Sequence, residues 1–221
     1  MAILLTIRRT RAYLLASRQV VERRTRGETR ERLLDAAEQE FALGGFSGTR
    51  LADIAGRLGI RRPSLLYHFS TKEELYTAVV ERTFADLGGA MVDAMEGARG
   101  YRERLTAPIE RFASFLEARP AAGRLLLREL LDGRGPGRRT IALQGPPILA
   151  LVESFIRAEA GDRIAPDYPV RAALMQTVCN LLMFSAADEL QDPLWGGGGH
   201  QALPLAESIW NNEPDPREDE S

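Results

Sequence analysis

The segment from Arg50 to Leu75, RLADIAGRLGIRRPSLLYHFSTKEEL, constrains the fold more than any other part of the chain. In its first part, apolar residues recur at the helical spacing i, i+3, i+4, i+7, at Leu51, Ile54, Ala55 and Leu58. Gly59 follows, where glycine tolerates the positive φ that ends a helix. A second short helix is then predicted, with Leu65 and Phe69 facing inward. This order is typical of a helix-turn-helix, which lays its second helix in the DNA major groove.

Charged and polar side chains around the second helix are candidate DNA contacts. Arg61 and Arg62 precede its first turn, where guanidinium groups reach phosphate oxygens or the O6 and N7 edge of guanine. A solvated pair without a DNA role is the alternative, and for Tyr67 the alternative is packing against the third helix. The complete predicted set is Thr49, Arg50, Arg61, Arg62, Pro63, Ser64, Tyr67, His68 and Lys72.

A third helix is predicted to start directly after the second. Ser70 with Glu73, and Thr71 with Glu74, both have the spacing of a capping box. The exposed N–H groups of this first turn, together with Lys72, are expected to form a phosphate clamp beside the second helix.

Residues 29–76 resemble the TetR family of bacterial transcriptional regulators. The matching positions are Leu33, Ala37, Phe41, Gly45, Phe46, Asp53, Ile54, Ala55, Gly59, His68, Phe69, Lys72 and Leu75. The resemblance implies an all-α fold of about nine helices, with an N-terminal three-helix helix-turn-helix domain and a larger helical domain that binds a ligand and dimerises. It also implies a cytoplasmic, sequence-specific DNA-binding regulator that is not an enzyme and needs no cofactor or metal.

Three positions depart from the family pattern. The family usually has Thr or Ser at the position of Arg50, a small hydroxyl residue at the position of Arg61, and Tyr at the position of Leu66. Losing the tyrosine hydroxyl removes one common phosphate contact, but Tyr67 and the two added arginines offer substitutes. DNA binding is therefore expected to persist with altered detail.

Charge is distributed unevenly along the chain. Residues 1–75 carry 14 basic and 9 acidic residues, a net charge of +5, whereas residues 76–221 carry 15 and 22, a net charge of −7. Only the first third is suited to phosphates. Within it, residues 1–28 are either a basic arm that reaches DNA or the result of a start codon assigned too early, with the native chain beginning near Val20 or Val21.

The remaining chain is predicted to form a ligand-binding and dimerisation domain over 77–210, followed by a disordered acidic tail over 211–221. Helical patterns are predicted from residue 72 to Gly97, around Ile109 to Leu116, over 121–131, over 147–160 with Leu151 buried, and over 167–190. Residues 132–139 are expected to form a loop. A last helix is expected over 203–210, after a linker that includes Gly196 to Gly199.

The helix predicted over 167–190 is apolar on two faces, so one face is expected to pack inside the domain and the other against a second subunit. Predicted dimer-interface residues are Leu174, Val178, Leu181 and Leu182. Together with the helix over 203–210 they are expected to build a four-helix interface. A dimer reads a palindromic operator, and a ligand that changes the separation of its two DNA-binding domains changes DNA affinity.

The effector is expected to be a small apolar molecule, because methionines and phenylalanines concentrate in the C-terminal part and methionine-lined cavities adapt to varied shapes. Predicted pocket residues are Met91, Met95, Phe112, Phe115, Phe155, Met175 and Met183. Ordinary core packing is the alternative for each. Arg128, Glu129, Gln176 and Asn180 are candidates for orienting a ligand or for facing solvent.

Other classes of protein agree less well with the sequence. The chain has no nucleophile elbow or phosphate loop, and its two histidines offer little acid–base chemistry, so an enzyme or carrier with an unused helix-turn-helix is disfavoured. The remaining alternative is a ligand-independent regulator or activator, which a solid core would favour. The single cysteine, Cys179, is expected to be buried and inert. No apolar run approaches the length of a membrane span.

Overall fold

The computed structural model describes residues 27–132 and 135–196, apart from the side chain of Arg102. Over these residues the chain forms nine α-helices and no β-strand, which confirms the all-α fold. The helices are α1 (27–48), α2 (Leu51–Arg57), α3 (Arg62–His68), α4 (Lys72–Gly97), α5 (Tyr101–Ala118), α6 (Pro120–Asp132), α7 (Arg138–Ala160), α8 (Val170–Ala186) and α9 (Gln191–Trp195). We call residues 27–71 the head, and residues 72–132 with 135–196 the body.

The head is held together by the apolar positions that the sequence pattern identified. Ile54 and Ala55 of α2 are buried, as are Leu65 of α3 and the adjoining Phe69. Gly59 turns the chain between α2 and α3 with a φ of +66°, in the left-handed region that favours glycine. The helix-turn-helix predicted from sequence is thus the structure of this segment.

Helix α4 connects the head to the body. Thr71 caps it, because its hydroxyl accepts a hydrogen bond from the Glu74 N–H at 3.0 Å. The Glu74 carboxylate in turn accepts one from the Ser70 N–H at 2.7 Å. Of the two capping boxes that the sequence allowed, the Thr71 and Glu74 pair is used. The helix then runs about 39 Å, at 1.5 Å per residue, into the body.

The body is a helical bundle in which α4 packs against α5 and α7, and α6 packs against α8. A glycine marks the close approach of α6 and α8. A Cβ at Gly123 of α6 would lie 2.3 Å from the Ser185 hydroxyl of α8, so the tight contact between these two helices requires glycine.

Helix boundaries differ from the sequence prediction at α7 and α8. Helix α7 begins at Arg138 and passes through Pro146 and Pro147, whereas the sequence predicts a helix only from residue 147. The helix tolerates them because its half-buried and buried stripe, Ile141, Ile148, Val152, Ile156 and Ala160, packs continuously on the bundle. Leu151 lies off this stripe and is exposed, contrary to prediction. Helix α8 is shorter than predicted and ends at Ala186.

Several predicted segments lie outside the described residues. These are the N-terminal extension up to residue 26, the glycine-rich linker after Gly196, the helix over 203–210 and the acidic tail.

Among the described helices, none is by itself long and apolar enough to cross a membrane. One pair, Val170–Ala186 with Asp188–Trp195, satisfies the length and composition criteria only when its two parts, bent by 114°, are taken together.

Candidate DNA-binding surface and apolar cavity

The start of α3 presents a contiguous exposed surface. Arg61, Arg62, Pro63 and Ser64 are all exposed. Leu65 and Phe69 are buried on the opposite side and fix the orientation of the helix. Tyr67 is 67% exposed, and its ring meets that of the half-buried His68 edge-on at 5.5 Å. The structure therefore directs Tyr67 outward, into solvent.

Thr49 and Arg50, at the start of α2, have different environments. Arg50 is exposed next to the N-terminus of α2. Thr49 is buried, and its hydroxyl shares its one proton between the carbonyl oxygens of Gly45, at 2.8 Å, and Glu40, at 3.0 Å. Its side chain, predicted to contact DNA, instead holds the connection between α1 and α2 in place.

Lys72 is tied to the same connection. Its Nζ donates to the Thr49 carbonyl oxygen at 2.9 Å and to that of Ser47 at 3.5 Å, and lies 4.5 Å from the centre of the Phe46 ring. An ammonium held in this way fixes the first turn of α4 to the head. The Lys72 side chain is thus partly engaged within the protein, whereas the prediction had assigned it to phosphate.

A cavity of about 160 Å³ lies between α4, α5, α6, α7 and α8. Its lining residues are Phe84, Leu87, Met91, Pro108, Ile109, Phe112, Leu126, Leu130, Ile141, Gly145, Ile148, Leu149, Val152, Leu174, Met175, Thr177, Val178, Leu181 and Leu182. Among the predicted pocket residues, Met91, Phe112 and Met175 line it. Met95, Phe115, Phe155 and Met183 do not, and Met183 is 55% exposed.

The chemistry of the cavity wall is almost uniform. Thr177 is the sole polar side chain among the lining residues, and its hydroxyl donates to the Ala173 carbonyl oxygen at 3.0 Å. The four polar residues considered for orienting a ligand, Arg128, Glu129, Gln176 and Asn180, lie elsewhere. An ionised ligand placed here would meet no charge of opposite sign from the lining.

Helix α6 lies between the cavity and the head. Leu126 and Leu130 line the cavity, and Glu129, between them in sequence, is buried and accepts a short hydrogen bond from the Tyr76 hydroxyl of α4. The Tyr76 ring packs edge-on against Phe41, at 4.7 Å, and Phe46, at 5.3 Å. Burial, reinforced by the neighbouring Glu129, raises the pKa of Tyr76 above its ordinary value. This pair joins the cavity helix to the aromatic core of α1.

Two further arginines bond α1: Arg128 of α6, and Arg119, which directly precedes α6. Arg128 donates to the Leu43 carbonyl oxygen at 3.3 Å, and its side chain passes Gly45 so closely that a Cβ there would lie 3.1 Å from it. Arg119, just before α6, forms an ion pair with the buried Glu38 of α1 and bonds Asp86 of α4 at 2.5 Å. Burial lowers the Arg119 pKa, but these carboxylates outweigh it, and the pKa is raised.

The predicted dimer residues on α8 face inward in the single chain. Leu174, Leu181 and Leu182 are buried and line the cavity, as does the half-buried Val178. The outward stripe of α8 is formed by Ala172, Gln176, Cys179, Asn180 and Met183. The prediction of a buried Cys179 was wrong: the thiol is exposed, because position 179 falls on this stripe.

The sequence reasoning missed the Tyr76 and Glu129 pair. A signal for it was present, since Glu129 is three and four residues from Leu126 and Leu125 and therefore shares their helix face. A charged residue on an apolar face predicts a buried partner, although the sequence does not say which residue supplies it.

The sequence of this head matches a known family. Residues 33–79 match the model of a family described as bacterial regulatory proteins, tetR family. The transcriptional activator FasR of Mycolicibacterium smegmatis is 38% identical over 92 residues, 42% of this chain and 42% of that protein. The transcriptional regulator RutR of Escherichia coli is 35% identical over 108 residues, 46% of this chain and 47% of that protein. The matched segments thus span less than half the length of either relative.

Solved structures share the fold over about four fifths of the chain. The ketosteroid transcriptional regulator KstR2 of Mycobacterium tuberculosis superposes with a TM-score of 0.60 at 20% identity, covering 82% of this chain and 90% of that one. The fatty acid degradation regulator FadR of Bacillus halodurans gives 0.59 at 16% identity, covering 81% and 91%. The chain has the helix-turn-helix domain of the bacterial regulators. Over residues 33–79 its sequence is similar to that of the TetR family.

Proposed function

We propose that this protein is a dimeric transcriptional repressor that binds a palindromic operator through α3 and leaves it when a small apolar molecule occupies the body cavity. The observation that carries the proposal is the combination, in one chain, of an exposed arginine surface on a helix-turn-helix and a cavity lined almost entirely by apolar side chains, with α6 in contact with both the cavity and α1 of the head.

The head has the surface that DNA binding requires. Arg61 and Arg62 stand exposed at the start of α3, next to Ser64 and the outward Tyr67. Guanidinium groups bind phosphates and guanine edges, and the buried Leu65 and Phe69 keep the helix in one orientation. Regulators named among the relatives support the assignment of this surface to DNA.

The body supports control by a ligand. Leu126 and Leu130 touch the cavity, whereas Arg128 and Glu129 of the same helix bond α1 and α4. An occupant that displaces α6 must move or break these bonds, because a rigid helix transmits displacement along its length. A coupling of about 1.4 kcal/mol between the two sites changes operator affinity tenfold.

Dimerisation is assigned to the outward stripe of α8, Ala172, Gln176, Cys179, Asn180 and Met183. Small and apolar side chains there allow close approach of a second copy of the helix. Two heads related by a two-fold axis then read half-sites about 34 to 36 Å apart.

The second candidate is a transcriptional activator of the same fold. One relative, FasR, is named an activator, which favours this reading. A regulator that ignores ligands is less well supported, because a solid core would favour it and the body instead contains a cavity.

The test begins with selection of duplex DNA from a random library by the full chain, followed by fluorescence anisotropy with the selected duplex. We expect enrichment of a palindrome, and binding that a scrambled duplex of equal length and composition does not displace. Failure to enrich any sequence, by protein shown by light scattering to be dimeric and folded, would contradict the proposal. Repression and activation are then separated by transcription from a promoter carrying the selected site.

A further inference from the structure

Helix α6 is attached to α1 at two separated points. Near its C-terminal end, Arg128 donates to the Leu43 carbonyl oxygen at 3.3 Å. At its other end, Arg119 forms an ion pair with Glu38. The spacing of the two arginines in the sequence places them about 14 Å apart along the helix axis, at 1.5 Å per residue. One point of attachment allows two helices to pivot on each other, whereas two points also fix the angle between them.

Arg119 moves with α6, although it precedes the first residue of that helix. Its carbonyl oxygen accepts hydrogen bonds from the N–H groups of Ala122 at 3.0 Å and Gly123 at 3.4 Å, in the first turn of α6. Its guanidinium carbon lies 5.2 Å from the centre of the Phe115 ring of α5, which restricts the side chain. A displacement of α6 therefore carries the Arg119 guanidinium with it.

The Glu38 carboxylate is the point on α1 that receives this guanidinium. Its side chain is 5% exposed, and it accepts hydrogen bonds from Arg119 and, at 3.4 Å, from Arg82 of α4. Arg119 also bonds Asp86 of α4 at 2.5 Å, so one guanidinium joins α1, α4 and the start of α6. Because a guanidinium presents its donors in a fixed planar fork, these contacts are compatible with a narrow range of helix orientations. Separating a buried carboxylate from its cation is strongly disfavoured, which keeps the pair closed.

We propose that Arg119 is a positioning residue for operator binding: through Glu38 it sets the angle of the head on the body, and thereby the orientation in which α3 meets DNA. The inference rests on the proposed function. It adds a second connection between α6 and the head, distinct from the pair of Tyr76 and Glu129.

The test measures operator affinity in Glu38→Gln, in Arg119→Gln and in the double variant, by fluorescence anisotropy with the selected duplex. A head that takes the binding orientation about one tenth of the time binds about tenfold more weakly, and we expect a loss of this size in each single variant. Both substitutions break the same link, so the double variant should also lose about tenfold rather than about a hundredfold. The slope of log affinity against log salt should not change, since no phosphate contact is removed.

Arg104→Gln/Glu159→Gln is the matched control, because these side chains form an ion pair at 3.0 Å between α5 and α7, both within the body. Urea unfolding of every variant separates positioning from a structural role alone. A structural role alone would lower the unfolding midpoint and leave the operator affinity of the folded protein unchanged. Where Arg119→Gln does not fold, Arg119→Lys takes its place, because lysine keeps the charge but lacks the fork that joins Glu38 to Asp86.

Three results would overturn the inference: unchanged operator affinity in both single variants, additive losses in the double variant, or an equal loss in the control. A wild-type chain that selects no operator rejects the proposed function and the inference together. Wild-type binding combined with any of the three results rejects the inference alone and leaves the proposed function in place.

Discussion

The head and the body differ in how their chemistry is arranged along the chain. The surface for DNA is formed by neighbouring residues, Arg61 to Ser64, on a helix held by a core of adjacent apolar positions. The cavity is assembled from five helices whose contributing residues range from Phe84 to Leu182. A local surface is specified by a short motif, whereas a cavity depends on how distant helices pack. Helix α4 runs from one region into the other, and α6 both lines the cavity and bonds α1.

Loss of the arginine pair should have the largest effect and should be confined to the head. In Arg61→Ala/Arg62→Ala, operator affinity should fall about a hundredfold, since each direct contact contributes about 1 to 3 kcal/mol. The slope of log affinity against log salt should also flatten, because fewer counterions are released. Arg138→Ala/Arg139→Ala removes the same charges from exposed positions on α7 and is the control. An equal loss of affinity in the control would show that only net charge matters.

The two regions should respond differently to added volume. Leu65→Phe in the head, at a site with no exposed surface, should lower the free energy of unfolding by about 2 kcal/mol, because the packed core must shift. Leu126→Phe, on the cavity wall, should cost much less, since the ring enters existing space. Urea unfolding of the two variants measures the difference. An equal loss of unfolding free energy in the two variants would mean that the cavity cannot accept a larger side chain.

The connection between the regions is tested by Tyr76→Phe. Removing the hydroxyl takes away the Tyr76 hydrogen bond to the buried Glu129, at a cost of about 1.5 kcal/mol in unfolding free energy. Because the folded protein raises the Tyr76 pKa, the contribution of its hydroxyl is fully present below the ordinary value of 10.0 and declines as the pH rises above it. The stability gap between wild type and variant should therefore narrow above about pH 10. A gap that stays constant to pH 11 would contradict the buried position of the hydroxyl.

Thr49→Val should have the smallest effect. It removes the one hydroxyl proton that two carbonyl oxygens of α1 share and should lower the free energy of unfolding by about 1 kcal/mol. The salt slope of operator binding should not change, because the structure keeps this hydroxyl away from the surface. A flattened slope at unchanged stability would restore Thr49 as a phosphate contact.

The same contrast explains what the sequence could predict. Helical spacing identified Ile54, Ala55 and Leu65 as buried, and Gly59 as the turn, because local geometry alone determines these positions. On α8, spacing showed two apolar faces but did not show which one the bundle covers, so Leu174 and Leu182 were assigned outward and Cys179 inward.

The sequence predicted that the cavity is apolar, but it identified only some of the residues that line it. Phe112 and Met175 line it, while the equally apolar Phe155 and Met183 do not, because position around the helix decides membership. The extent of α7 was missed for a related reason. Local rules place a boundary at Pro146 and Pro147, and packing against the bundle overrides them.

The most direct test of the account is a two-way titration between toluene, as a small apolar probe of the cavity, and the selected operator. Anisotropy gives the operator affinity with and without saturating toluene, and calorimetry gives the toluene affinity with and without operator. The account predicts that each ligand weakens the other by the same factor, and that Glu129→Gln reduces that factor. Toluene binding that leaves operator affinity unchanged would contradict the claim that α6 couples the cavity to the head.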